Sequence, residues 1–321
     1  MKTAITALAL GAWSCLAWAQ QAPSSFQPNR PVTLIVPYGA GGGTDQVARM
    51  FSQKLGELWR QPVVVENRAG ADGAIGSAFV AKAPADGHTL MLSVASIAIN
   101  PHVFAKLPFD TLTQFTPITT LALPVVVMVA TPALQFKDGR AFIAAARAAP
   151  GKYTYASTDT STRMYSERLR ASQQLDMVHV PYKSSAQWMA DIAAGVVDSG
   201  FASATSARPF LIDRRVQVLG VASPKRSNLA PDVPTFNEQG IQGLDGKSWY
   251  GLFGPGKVPP AVVKAIHEDV MRVLSMPDVR DKLDALGVDP GGEAPADFAR
   301  RFLADYAEYG EMIKRLKIPQ Q

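Results

Sequence analysis

Nine residues carry the densest chemical signal in the chain: Pro37, Tyr38, Gly39, Ala40, Gly41, Gly42, Gly43, Thr44 and Asp45. They stand between a predicted strand and a predicted helix. Four glycines in five positions leave the backbone bare, so peptide N–H groups can approach a ligand with no Cβ in the way. The following helix presents unpaired amides and the positive end of its dipole at the same place, which together make an anion site. A tight turn needs only one or two glycines, so this run favours backbone exposure to a ligand. The enzymatic versions of such loops do not match. Thr44 stands where a dinucleotide loop needs its third glycine, and no Lys follows the glycines as a phosphate loop requires. Asp45 reads as a helix cap, a carboxylate satisfying first-turn amides, rather than as a catalytic acid.

A second polar loop follows the strand near Tyr153: Ser157, Thr158, Asp159, Thr160, Ser161 and Thr162. Short hydroxyl residues at a strand's carboxyl end can offer donors to a ligand, and they equally make an N-cap with an exposed turn. Arg163 can pair a carboxylate bidentately; its default is solvent. His88, His102, His179 and His267 are scattered singly, and His267-Glu268 lacks a second His at 271. There is no Gly-x-Ser-x-Gly elbow. No catalytic residue, metal site or cofactor is expected. Trp188 and Trp249 read as core residues or as walls of an aromatic-tolerant cleft.

The elements around these loops alternate between strand and helix. Residues 32–36 form a continuous apolar run ended by Pro37, a buried-strand pattern. Val47, Phe51, Leu55 and Leu58 recur at helical spacing, with Thr44 or Asp45 as N-cap. Strands are predicted over 63–65 and 89–93, with a helix marked by Ile75 and Phe79 between them. Further strands fall at 125–129, 153–156, 177–180, 196–201 and 216–222, separated by helices at 140–149, 164–172 and 185–194. A strand at 249–253 and two helices follow, one opened by Pro259-Pro260, the other over 296–316. This rhythm predicts an α/β fold with mainly parallel sheets. Two lobes are expected, 28–123 with 224–321 and 124–223, joined by a hinge near 123–125 and 221–224.

With 321 residues, 47% hydrophobic and 18% charged, the chain is of ordinary globular composition and long enough for two domains. Residues 1–19 read as a cleaved signal peptide: Lys2, an apolar stretch from 5 to 16, then Ala17-Trp18-Ala19. The apolar run is too short to span a membrane, and Ala12-Trp13-Ser14 before Cys15 is a poor lipobox. Cys15 is the only cysteine, so the mature protein has neither disulfides nor cysteine nucleophiles. A bacterial periplasm is the expected compartment and a monomer the expected state. The formal net charge of +5 comes from scattered Lys and Arg, which argues against nucleic acid and favours anionic ligands.

Several ordered stretches resemble the Bug family, the periplasmic substrate-binding proteins of tripartite tricarboxylate transporters. They are residues 37–45, Val64-Val65-Glu66-Asn67-Arg68-Ala69-Gly70, Asp86-Gly87-His88-Thr89-Leu90, Tyr153-Thr154-Tyr155-Ala156-Ser157, Val178-His179-Val180-Pro181-Tyr182-Lys183, Asp232-Val233-Pro234-Thr235 and Ser248-Trp249-Tyr250-Gly251-Leu252-Phe253. The resemblance runs from about Pro31 to the C-terminus. It implies a two-lobed Venus-flytrap that closes over a small organic acid and delivers it to membrane permease subunits. It also implies that the loop from Tyr38 to Asp45 grips one carboxylate through the amides of Gly41, Gly42, Gly43 and Thr44. Further contacts would come from Ser93, Ser96 and Asn100, from Ser157, Thr158 and Ser161, from Tyr182 and Lys183, and from Ser203.

The chain also departs from the family pattern. The loop after Ser157 is about two residues shorter than usual and carries Asp159, Arg163 and Tyr165 where a Gly/Asn-containing loop and a His are common. The usual Phe-Asp-Asn is Phe201-Ala202-Ser203, and loss of that acid argues against an amino-acid ligand. The expected ligand is therefore a di- or tricarboxylate, with an aromatic dicarboxylate included. The rival readings are a secreted hydrolase or isomerase acting on an organic acid, and a ligand-sensing partner of a membrane kinase.

Overall fold

The structure, a computed structural model, describes residues 26–246 and 248–320. The expected leader, residues 1–19, lies outside the described residues. The chain opens with β1 (Val32–Val36), α1 (Gly43–Trp59), β2 (Val63–Asn67), α2 (Ala74–Ala81), β3 (Thr89–Ser93), α3 (Ser96–Val103) and β4 (Phe115–Pro124). It continues through β5 (Val126–Ala130), α4 (Gly139–Ala148), β6 (Thr154–Ser157), α5 (Thr160–Gln173), β7 (Val178–Pro181), α6 (Ser185–Ala193), β8 (Ser199–Ser203), α7 (Ala204–Ile212) and β9 (Gln217–Val221). It closes with β10 (Tyr250–Pro255), α8 (Pro260–Ser275), α9 (Pro277–Ala285), β11 (Val288–Pro290) and α10 (Pro295–Leu316).

Two sheets result, of order β11-β4-β10-β3-β1-β2 and β7-β6-β8-β5-β9. The apolar run of β1 is explained by its place between β2 and β3, with Leu34 opposite both Val65 and Leu90. A strand flanked on both edges and covered on both faces has no reason to alternate. The sheets are mixed rather than mainly parallel. β1 runs parallel to β2 and β3, and β6 to β7 and β8, through helical crossovers. β10 is antiparallel to β3 and β4, and β5 to β8 and β9. The antiparallel strands are those on which the chain enters or leaves a sheet, where no βαβ crossover dictates direction.

Only Val125 separates β4 in the first sheet from β5 in the second. The return path is longer. Residues 224–246 are expected with the first lobe, and Lys225 and Asn228 do reach its Asp289 and Asp284, but 234–246 lie against the second sheet: Phe236, Ile241 and Leu244 share an apolar cluster with Val126, Phe142, Phe201 and Leu219. Phe236 N–H donates to Val221 O at 2.9 Å, and Val221 N–H to Pro234 O at 3.1 Å. Apolar burial thus carries this segment to the second sheet before Trp249 enters the first. Trp249 is a core residue, fully buried against Phe253, Phe298 and Phe302, with its Nε1 donating to Asp305 Oδ2 at 2.7 Å.

Candidate ligand-binding cleft

The β1–α1 loop lies at the carboxyl end of a central strand, pointing its helix start at the gap between the sheets. Gly42, not Thr44 or Asp45, occupies the N-cap position of α1, with extended backbone and no side-chain cap. Gly43 N–H donates to Ser206 Oγ of the opposite lobe at 2.9 Å. The N–H groups of Thr44 and Asp45 find no acceptor among the described residues, while Gln46 N–H makes the first intrahelical bond. Two bare donors at a helix N-terminus are an anion receptor in themselves. Glycine is required at 43: a Cβ there would collide with the Tyr250 hydroxyl and lie 2.6 Å from Ser203 Oγ.

Asp45 holds this loop rather than capping the helix. Its buried carboxylate accepts from Gly41 N–H at 2.9 Å, Asn67 Nδ2 at 3.0 Å and the Arg49 guanidinium at 2.9 Å. Burial opposes its ionisation, but these donors outweigh it and hold the carboxyl below its usual range. The φ of +81° at Gly41 supplies the left-handed turn that folds the loop back.

The second lobe brings the β6–α5 loop and the starts of α6 and α7. Asp159 caps α5, accepting from Thr162 N–H at 2.9 Å and from the Ser161 hydroxyl. Thr158 Oγ1 accepts from Trp188 Nε1 at 2.9 Å and pairs with Ser185 Oγ at 3.1 Å. Ser203 caps α7 and pairs with Ser206 at 2.9 Å. Between the lobes these groups and the α1 start enclose a cavity of about 40 Å³, walled also by Tyr38, Tyr250, Phe201, Val126 and Trp188. Burial holds the Tyr38 and Tyr250 phenols neutral, as hydrogen-bonding hydroxyls.

The chain has the sequence of a known receptor type. Residues 46–318 match the family described as tripartite tricarboxylate transporter family receptor. The chain belongs to that family. BugT of Bordetella pertussis is 31% identical over 284 residues, covering 87% of this chain and 86% of that protein. R. palustris Rpa4515 with adipate superposes with a TM-score of 0.88 at 29% identity, over 92% of this chain and 99% of that one. MatC (Rpa3494) from Rhodopseudomonas palustris with bound malate gives 0.82 at 28%, over 89% and 99%. The matched family is one of transporter receptors, not enzymes, a structural neighbour at 33% identity is a periplasmic transporter, and BugD, at 25%, is a periplasmic binding protein; the two-sheet architecture is theirs.

Within this receptor the expected contact residues divide sharply. Tyr38, Gly39, Gly42, Gly43, Thr44, Thr158, Ser161 and Ser203 line the cavity. Ala40 and Gly41 are exposed on the loop's outer side, and Asp45 acts from behind. Ser93, Ser96 and Asn100 are buried and do not reach the cavity; Ser96 and Asn100 instead join the lobes. Ser96 Oγ accepts from Ser161 N–H at 3.1 Å, and Asn100 Oδ1 accepts from Thr160 Oγ1 at 2.7 Å. Asp72 adds a third such bond, accepting from Thr160 N–H at 3.0 Å. Ser157 turns outward to His179 Nε2 at 2.8 Å, and Tyr182 to Asp191 at 2.7 Å. These two line an outer pocket of about 390 Å³ across the Thr158–Asp159 turn, while Lys183 is exposed and lines neither. Burial pushes His179 down to about 4, which keeps it neutral and a poor base. Arg163 is not at solvent: it is 9% exposed, with Nε on Glu167 at 3.1 Å. Ser206 and Tyr250 also line the cavity and are not among the expected contacts, whereas Asp159 and Ser185 line it as members of the expected loops 157–162 and 182–185. Ser206 lies 163 residues from the amide it meets, and no local pattern marks it.

Proposed function

We propose that this receptor captures a small organic carboxylate, one carboxylate group lying on the bare N–H groups of Thr44 and Asp45. The observation that carries the reading is this pair of donors in the first turn of α1, where Gly42, Gly43 and Thr44 line a cavity that both lobes complete. The two structural neighbours hold small organic carboxylates, adipate and malate. Residues from opposite lobes already hydrogen-bond across the cleft, so a ligand bound between them favours the closed form by its extra contacts there. The closed form would pass the solute to permease subunits of a tripartite transporter in the periplasm, which the chain enters through the leader at 1–19. The hinge lies at Val125 on one path and at the end of residues 224–246 on the other.

Thermal unfolding against a panel of mono-, di- and tricarboxylates tests this. A ligand at about 100 times its dissociation constant stabilises the native state by roughly 2.7 kcal/mol, a readily measured shift. A shift confined to carboxylates and lost in Gly43→Ala is the expected result. A shift with no carboxylate at all, or one that Gly43→Ala leaves intact, would overturn the reading.

A further inference from the structure

The cavity is chemically lopsided. At the α1 end it offers N–H donors; at the α5 end it offers Asp159, the only charged side chain among the described residues lining it. Asp159 Oδ1 takes Thr162 N–H, the Ser161 hydroxyl and, at 3.4 Å, Ser96 Oγ. Its Oδ2 accepts from none of the described residues, and Asp159 is half-buried where the inner cavity meets the outer pocket. Nothing basic among the described lining residues would balance a second ligand carboxylate placed against it.

Resting on the carboxylate reading above, we infer that the solute is not a dianion but a carboxylate whose other end carries a cationic hydrogen-bond donor that meets Asp159 Oδ2. The acid missing at Ala202, which does line the cavity, is supplied from a different loop. A charge-assisted hydrogen bond to a half-buried carboxylate is about twice as strong as a neutral one. The walls are suited to an ammonium as well: Trp188, Phe201 and Tyr250 present aromatic surface on which a cation is attracted. Neighbouring titrations agree. Asp72, Tyr38 and Tyr250 are all pushed up, chiefly by burial and further by the negative charge of Asp159.

The test compares ligands of matched shape: adipate with 6-aminohexanoate, and terephthalate with 4-(aminomethyl)benzoate, flanked by shorter and longer members of each series. Affinities are measured by calorimetry on the mature chain and on Asp159→Asn. Asparagine keeps an N-cap oxygen for Thr162 N–H, so α5 retains its start; Asp159→Ser is the second variant. The inference expects an amino acid to bind at least about tenfold more tightly than its matched diacid, with that preference abolished or reversed in both variants. A diacid that binds more tightly to the wild type overturns it, as does a preference that survives both substitutions. Binding of neither series, with no other carboxylate bound, would overturn the cleft reading itself.

Discussion

The two loops that face each other across the cleft solve recognition by opposite means. The β1–α1 loop uses backbone: its donors are peptide amides, its side chains are removed by glycine, and its one carboxylate, Asp45, is spent on holding the loop. The β6–α5 loop uses side chains: Thr158, Asp159 and Ser161 present hydroxyls and a carboxylate, and each is tied to a neighbour that sets its direction. Backbone amides recognise a group common to every organic acid. Side chains differ in charge and reach, and so can tell one acid from another. On the reading proposed above, general affinity belongs to the first lobe and discrimination to the second.

Gly43→Ala is the most severe way to break this division. A methyl group pressed against the Tyr250 hydroxyl and Ser203 Oγ keeps the lobes apart, so carboxylate affinity is expected to fall by about 100-fold or more, close to 3 kcal/mol. Calorimetry reads the loss, and an unchanged thermal midpoint without ligand would show that the fold is intact. Asp45→Ala frees Gly41 N–H, Asn67 and Arg49 together. It is expected to cost about tenfold for every carboxylate alike, because the loop it releases does not discriminate; a loss confined to one ligand class would contradict the division.

How much of this could be seen in the sequence follows the same line. The glycine loop was legible because its function is local: composition, a preceding strand and a following helix suffice. β1, β3 and α10 were legible for the same reason, their apolar patterns being continuous. β4 was not read, because Thr116, Pro117, Thr119 and Thr120 interrupt its pattern, though Thr119 and Thr120 are buried against β10 and the residue 291–293 turn. α3 and α7 were missed where Pro101 and Pro209 sit inside them. In the site, the sequence offers Ser96 and Asn100 as ligand contacts, and only the folded chain shows Ser161 and Thr160 hydrogen-bonded to them. Tyr250 was read as part of a strand; that its hydroxyl faces Gly43 depends on β10 lying in the same sheet as β1.

Smaller effects sharpen the comparison. Ser206→Ala removes the acceptor for Gly43 N–H across the cleft; the loss of one such bond is about 1 kcal/mol, or roughly fivefold in affinity, provided the alanine keeps α7 in place. Asp72→Asn acts mainly through pH. In the closed form burial, and then repulsion from Asp159, raise the Asp72 carboxyl well above its usual range, while its Oδ1 lacks a partner. A carboxyl raised on closure favours closure fully below the open-state value, near 4, and that advantage is lost as pH rises toward the closed-state value. Wild-type affinity should therefore decline with rising pH above about 4, by no more than about tenfold per unit, and Asp72→Asn should flatten that decline. A titration series by calorimetry would expose any opposite slope.

Val125 is the only residue between a strand of one sheet and a strand of the other, and it is buried. So short a tether leaves no slack for the lobes to slide or draw apart at that edge; they can only swing. On the reading proposed above, solute occupancy would then be written on the outside of the molecule as an angle between two rigid plates. A membrane partner touching both plates at once needs to measure nothing else, and need never touch the solute to know that it is there.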